Sequence, residues 1–186
     1  MKWQRPPTIS DLLHGLNHRL RAHSSLSLLD SVMAFNPEEA QEAFEQFLII
    51  MDDQIEWLIE QAQQRGVDLD GSLESLDRLE TLYTLMAATL SKDEQAALRV
   101  VFARYLGETV CQHHGGKWTL PLDDPKDISF NMPVIVGHSS CPWLEFNPIH
   151  TMRAYSLRPK PGMIQSVVAH SAAPRILDLS DLVEED

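Results

Sequence analysis

Basic residues are missing from a long stretch of this chain: between Ala22 and Gln64 there is no lysine or arginine, while Asp30, Glu38, Glu39, Glu42, Glu45, Asp52, Asp53, Glu56 and Glu60 all fall there. The whole chain carries a formal charge of -12. A field of that sign repels phosphate backbones and anionic lipid, so neither nucleic acid nor a membrane surface is expected as a partner. A basic protein would be steered toward it, although a solvated acidic helix face accounts for the same run of residues. Cysteine is almost absent. Cys111 and Cys141 are too few for a disulfide scaffold in a chain long enough to build its own core, and reduced thiols are expected. The longest unbroken apolar run is Phe47 to Met51, far short of a bilayer span. Met1 to Arg5 begins like a charged leader, but Pro6-Pro7 and polar residues stand where the apolar segment would follow, and a cytoplasmic location is expected. Neither GxGxxG nor GxxxxGK[ST] occurs, and Gly115-Gly116-Lys117 follows a helical pattern instead of opening one. No cofactor is expected.

At 186 residues, 44% of them apolar, the chain has the material for one domain spanning 1–186, with a helical part over about 9–114, a strand-rich part over about 117–176 and an acidic tail over 177–186. Ile9, Leu12, Leu13, Leu16 and Leu20 recur at helical spacing. Asn36-Pro37-Glu38-Glu39 is a helix start, with Asn36 as cap, Pro37 where no amide is needed and Glu39 placed to reach back to the cap amide. That helix is expected to run to about Gln64, burying Ala40, Phe44, Phe47, Met51, Ile55, Leu58 and Ala62 and leaving the acids on other faces. A second is expected from Ser72 to about Leu90, and a third from Lys92 to His114, opened by a Ser91/Glu94 capping box. The third is apolar on several sides, which marks it as the central pillar, and Ala103 with Gly107 offers a place for another element to approach closely. Gly115-Gly116 then stops the helix. Beyond it the pattern reads as strands at Lys117–Leu120, within Ile128–Val136, at Trp143–Phe146 and at Met163–Val168, with a short helix opened by Pro148. The fold class expected is therefore α+β, a layer of about three long helices on a small, mainly antiparallel sheet.

Four residues share metal-ligand chemistry. Cys111 with His114 and His138 with Cys141 read as C-x-x-H and H-x-x-C, and would be the ligands of a tetrahedral zinc if the glycine turn folded the two halves together. Two cysteines packed in the fold beside unrelated histidines explain the same spacing. A histidine could also activate one of the thiols, but no third residue that would orient the histidine is evident. His14 and His18, with Asp11 nearby, lack the glutamate of a zinc-protease helix and read as a polar face. Glu56 and Glu60 could mimic a hydrolase carboxylate pair, but the unopposed acidity around them favours a solvent-facing role.

At Leu106-Gly107-Glu108, Gly115-Gly116-Lys117-Trp118, Asn147-Pro148 and Ser72-Leu73-Glu74-Ser75-Leu76-Asp77-Arg78-Leu79, the chain resembles uncharacterised bacterial α+β accessory domains, in which a central helix leads through a glycine-rich turn into a tryptophan-bearing strand. The likeness covers roughly residues 72–158. It implies a helical layer against a small sheet and an accessory role, immunity-like in some such domains and partner-binding in others, with no catalytic residues to carry over. The sequence reading is therefore a non-enzymatic protein-binding module, immunity-like or regulatory, contacting its partner through Glu38, Glu42, Glu45, Asp53, Glu56 and Glu60. Trp3 or Trp143 is the candidate apolar anchor or, equally, a core residue, and a homodimer is an alternative role whose apolar contacts the sequence does not reveal. The competing reading is a small zinc or thiol enzyme built on Cys111, His114, His138 and Cys141.

Overall fold

The computed structural model describes residues 35–174. The helix expected over Ile9–Leu20, Trp3, the His14/His18 pair and the acidic tail lie outside the described residues. Within them the protein is α+β: several helices packed against a three-stranded antiparallel sheet.

The first helical run is two helices, α1 (Pro37–Ile49) and α2 (Met51–Gln63), where the periodicity predicted one. Asn36 Oδ1 accepts the amides of Glu38 and Glu39 at 3.0 and 3.5 Å, while Glu39 bonds back to the Asn36 side-chain amide rather than its backbone. The break falls at Ile50, whose backbone lies at φ −91°, ψ 4° and whose N–H is shared between the carbonyls of Gln46 and Leu48. No proline or glycine stands there, so the apolar spacing carries straight across the break and hides it from the sequence. The next helix, α3 (Ser75–Ala87), is shorter at both ends than expected. Ser72 turns the chain instead, donating to Asp70 and accepting the amide of Ser75 on its hydroxyl oxygen at 3.2 Å.

Helix α4 (Lys92–His114) matches the sequence reading in both limits. Its capping box is complete: Ser91 Oγ accepts the Glu94 amide at 3.3 Å and Glu94 Oε2 accepts the Ser91 amide at 2.8 Å. From Ala97 to Val110 most residues are buried, and α4 packs against α2, α3 and α5 (Pro148–Leu157). Its Tyr105 hydroxyl also meets the Gly71 amide at 2.8 Å and the Ser75 hydroxyl at 2.7 Å, tying the α2–α3 connection to the pillar. Gly115 and Gly116 follow at φ 77° and 97°. A Cβ on Gly115 would meet open space, whereas one on Gly116 would stand 2.6 Å from the Val136 carbonyl, so the second glycine is the one the sheet requires.

The sheet runs β1 (Lys117–Thr119), β2 (Val134–Val136) and β3 (Glu145–Phe146), antiparallel in the order β1-β2-β3, with Trp118 opposite Ile135 and Ile135 opposite Phe146. Residues 128–131 form turns with Asn131 at φ 56°, Trp143 sits in a turn and Leu120 lies beyond β1, so three expected strands are shorter than the sequence suggested. The last expected strand is a helix, α6 (Met163–Ala172). Ile164 and Val168 are its buried positions, four apart, and an apolar run interrupted only by Gln165-Ser166 fits either period. Tertiary bonds decide the matter: the Glu80 carboxylate accepts the amides of Gly162 at 2.9 Å and Ile164 at 2.7 Å, supplying partners that a helix N-terminus otherwise lacks.

Candidate interaction surface

Phe44, Phe47 and Met51 form a buried cluster of their own, joined by Ile55, Val100, Trp118 and Ile149. Each such side chain contributes about 1.5–3 kcal/mol as it leaves water. Their burial fixes the rotation of α1 and α2, and with it which residues face solvent. Glu38, Glu42, Glu45 and Ile49 recur at four, three and four residues along α1 and form one stripe on the opposite side. Asp53, Glu56 and Glu60 do the same along α2. All six acids named from the sequence are exposed, and Ile49 is 68% exposed at the end of the α1 stripe. Among the described residues none of the six takes part in an ion pair; the one ion pair joins Arg78 to Asp70. The elbow thus presents an isoleucine, with the 38%-exposed Leu48 beside it, to solvent within reach of unpaired carboxylates.

Arg104 holds the elbow from behind. It is 2% exposed, its guanidinium carbon lies 4.1 Å from the centre of the Phe47 ring, and its Nε donates to the Phe47 carbonyl at 3.3 Å. Its Nη1 donates to the Gln54 side-chain carbonyl. One α4 side chain therefore caps the last turn of α1 and grips the first turn of α2. Burial lowers its pKa to about 10, which still leaves it charged at neutral pH. Below Phe47 lies Trp118, edge-on at 5.2 Å, with its Nε1 donating to Glu108 Oε1 at 2.6 Å. The indole rests on Gly107: a Cβ there would stand 2.1 Å from Trp118 Cζ2. The close approach anticipated at Ala103/Gly107 is made by this side chain.

Sequence patterning misses Arg104 and Gln54. The signal available is an arginine within the apolar positions Val100, Val101, Phe102, Leu106 and Val110 of a helix whose middle is apolar on several sides. Glu80 escapes in the same way, although its spacing from Leu76 and Tyr83 places it on the buried side of α3.

Among the described residues the cysteine–histidine set does not form a metal-holding group of three or more. Both thiols are free. Cys111 packs against the main core, and burial, with Glu108 adding to it, pushes its thiol up to about 11, so it is protonated at neutral pH and a weak nucleophile. His138 is buried where the chain leaves β2; its Nε2 lies 2.7 Å from Ser171 Oγ and its ring 5.9 Å from Phe146. Burial lowers its pKa, the charge of His114 lowers it further, and the Ile135 backbone opposes both. The Cys141 amide donates to Ser139 Oγ at 3.3 Å. Among the described residues no group of three or more His, Cys, Asp or Glu side chains is placed to hold a metal ion. Trp143 is 80% exposed. No described helix is long and apolar enough to cross a membrane. Compared with protein-family models, curated proteins and solved structures, the chain matches none.

Proposed function

We propose that the chain is a protein-binding accessory module, immunity-like or regulatory, whose contact face is the α1–α2 elbow. The observation that carries this reading is the exposure of Ile49 on the same stripe as Glu38, Glu42 and Glu45, with no basic side chain paired to any of them among the described residues. An apolar side chain within a charged surround is the composition of a docking patch: the isoleucine supplies desolvated contact and the acids steer and orient a basic partner. The Arg104 pin supports it further, because a patch spread over two helices keeps its shape only while the angle between them is fixed.

The test is affinity capture on full-length chain from the source cell, run in parallel with a Glu42→Gln/Glu45→Gln/Glu56→Gln variant and with Ile49→Ser. The reading expects a specific basic partner that is retained at low salt, is released as ionic strength rises, and is lost from both variants. Equal retention by the charge-neutral variant removes the elbow as the contact face.

A further inference from the structure

A groove of about 460 Å³ runs between α3 and the connection from α5 to α6. Its α3 wall carries Asp77, Glu80, Thr84 and Leu85, which share one helical face; Tyr155 and the Pro159–Gly162 segment form the other. Its volume is that of small-molecule sites, and its walls are chiefly apolar with a few polar groups turned inward. The two walls are bonded to each other. The Glu80 carboxylate takes the amides of Gly162 and Ile164, the Tyr155 hydroxyl donates to the Glu80 carbonyl at 3.2 Å, and Thr84 Oγ1 lies 3.2 Å from the same hydroxyl. The groove is therefore built before any ligand arrives, which lowers the ordering cost of binding.

The charges decide what fits. The start of α6 would ordinarily attract an anion, but two of its amides are already taken by Glu80, so an entering phosphate or carboxylate finds those donors used and a carboxylate in their place. Glu80 is 3% exposed, and its pKa is raised by burial first, with the charge of Asp77 adding to the effect. Asp77 is exposed and has no ion-pair partner among the described residues; Lys160, the one cation lining the groove, pairs with neither acid. A positive group seated beside Asp77 would relieve the repulsion between the two carboxylates, while the exposed Leu85 and Pro161 offer surface to an apolar body.

We propose that this groove binds a small organic ammonium ion, a primary amine carrying an apolar or aromatic body, with its nitrogen at Asp77 and its body against Leu85 and Pro161. The site is separate from the elbow and does not depend on its role.

The experiment is an amide-resolved NMR titration of the full chain with 2-phenylethylamine, run beside 3-phenylpropanoate and 2-phenylethanol as the anionic and neutral counterparts. The amine is expected to shift the amides of Thr84, Tyr155 and Gly162 saturably. Asp77→Asn should weaken it about tenfold, the loss of one charge-assisted contact. Asp77 is exposed and its side chain holds no other element, so that variant folds; Leu85→Ser, at the exposed rim, provides a second variant that should weaken the amine through its body alone. Saturable binding of the amine that falls in both variants, with the anion and the alcohol weaker, supports the site. No saturable shift with the amine, equal binding of the anion or the alcohol, or an unchanged affinity in Asp77→Asn overturns it.

Discussion

Gly107→Ala is the most direct perturbation of the elbow's foundation, because it adds one methyl group where the structure leaves no room. A Cβ at that position stands 2.1 and 2.4 Å from two ring carbons of Trp118. Helix backbone and indole cannot both stay in place. In an exposed helix the change would stabilise by about 1 kcal/mol through propensity alone. Against that, a displaced Trp118 loses its bond to the Glu108 carboxylate, worth about 1.5–3 kcal/mol, and its edge contact with Phe47, worth about 0.5–1.5 kcal/mol. Disturbed packing adds roughly 1–3 kcal/mol. The net expectation is a destabilisation of about 2–6 kcal/mol, or a fall in melting midpoint of roughly 4–24 °C for a chain of this length. Urea unfolding and thermal melts measure it. Hydrogen exchange adds a second readout, since the amides of the α1–α2 elbow should lose protection before those of α3. Combining Gly107→Ala with Trp118→Leu should recover part of the loss, because the smaller side chain makes room for the methyl group. A midpoint within about 2 °C of the parent, or no coupling between the two substitutions, would refute the account of Trp118 as the wedge beneath Phe47.

Three further outcomes are expected. Gly116→Ala should cost more than Gly115→Ala, about 2–3 kcal/mol against about 1 kcal/mol by urea unfolding, since both have positive φ but only the former drives a Cβ to 2.6 Å from a carbonyl. Burial depresses the pKa of His138 below its ordinary 6.5, so the unfolded chain takes up that proton first and His138's contribution to stability, complete above pH 6.5, is lost as the pH falls from there. His138→Gln should flatten the pH dependence of stability below 6.5, and an unchanged profile would contradict the assignment. With its pKa pushed up to about 11, Cys111 should resist iodoacetamide at pH 8 in the native chain and react at an ordinary thiol rate once unfolded in urea; rapid native labelling, located by peptide mapping, would count against its burial.

Local chemistry was legible in the sequence, and competition between elements was not. The caps at Asn36 and Ser91 and the proline opening α5 are read from a few adjacent residues, and α4 follows because its start signal, apolar breadth and glycine stop agree. At the break at Ile50, Arg104 takes the Phe47 carbonyl from 57 positions away, a contact that no pattern within residues 37–64 records. The identity of α6 depends likewise on Glu80, 84 positions before Ile164. In Met163–Val168 the apolar residues satisfy both periods, and the remote carboxylate at the first turn provides what the sequence leaves open. Of the candidate sites, the exposure of the six acids followed from the buried stripe that opposes them. Whether the cysteine–histidine set makes a metal-holding group, which among the described residues it does not, could not be read from the sequence, because whether two halves of a motif meet is settled by the path of residues 117–136 between them.

The buried arginine bonds on both sides of the break between α1 and α2. A cation at 2% exposure incurs a desolvation penalty of several kcal/mol, and here no carboxylate among the described residues offsets it; two neutral carbonyls and one aromatic face do. An apolar side chain of similar volume would pack the same space at lower cost, but it would leave the Phe47 and Gln54 carbonyls to find other partners and would not distinguish one angle between α1 and α2 from another. What the guanidinium adds is direction: its planar fork fixes the last turn of one helix against the first turn of the next. Burial of Phe44, Phe47 and Met51 turns the acidic face and Ile49 to solvent, and the guanidinium bonds across the break at Ile50 join the two helices that carry that face.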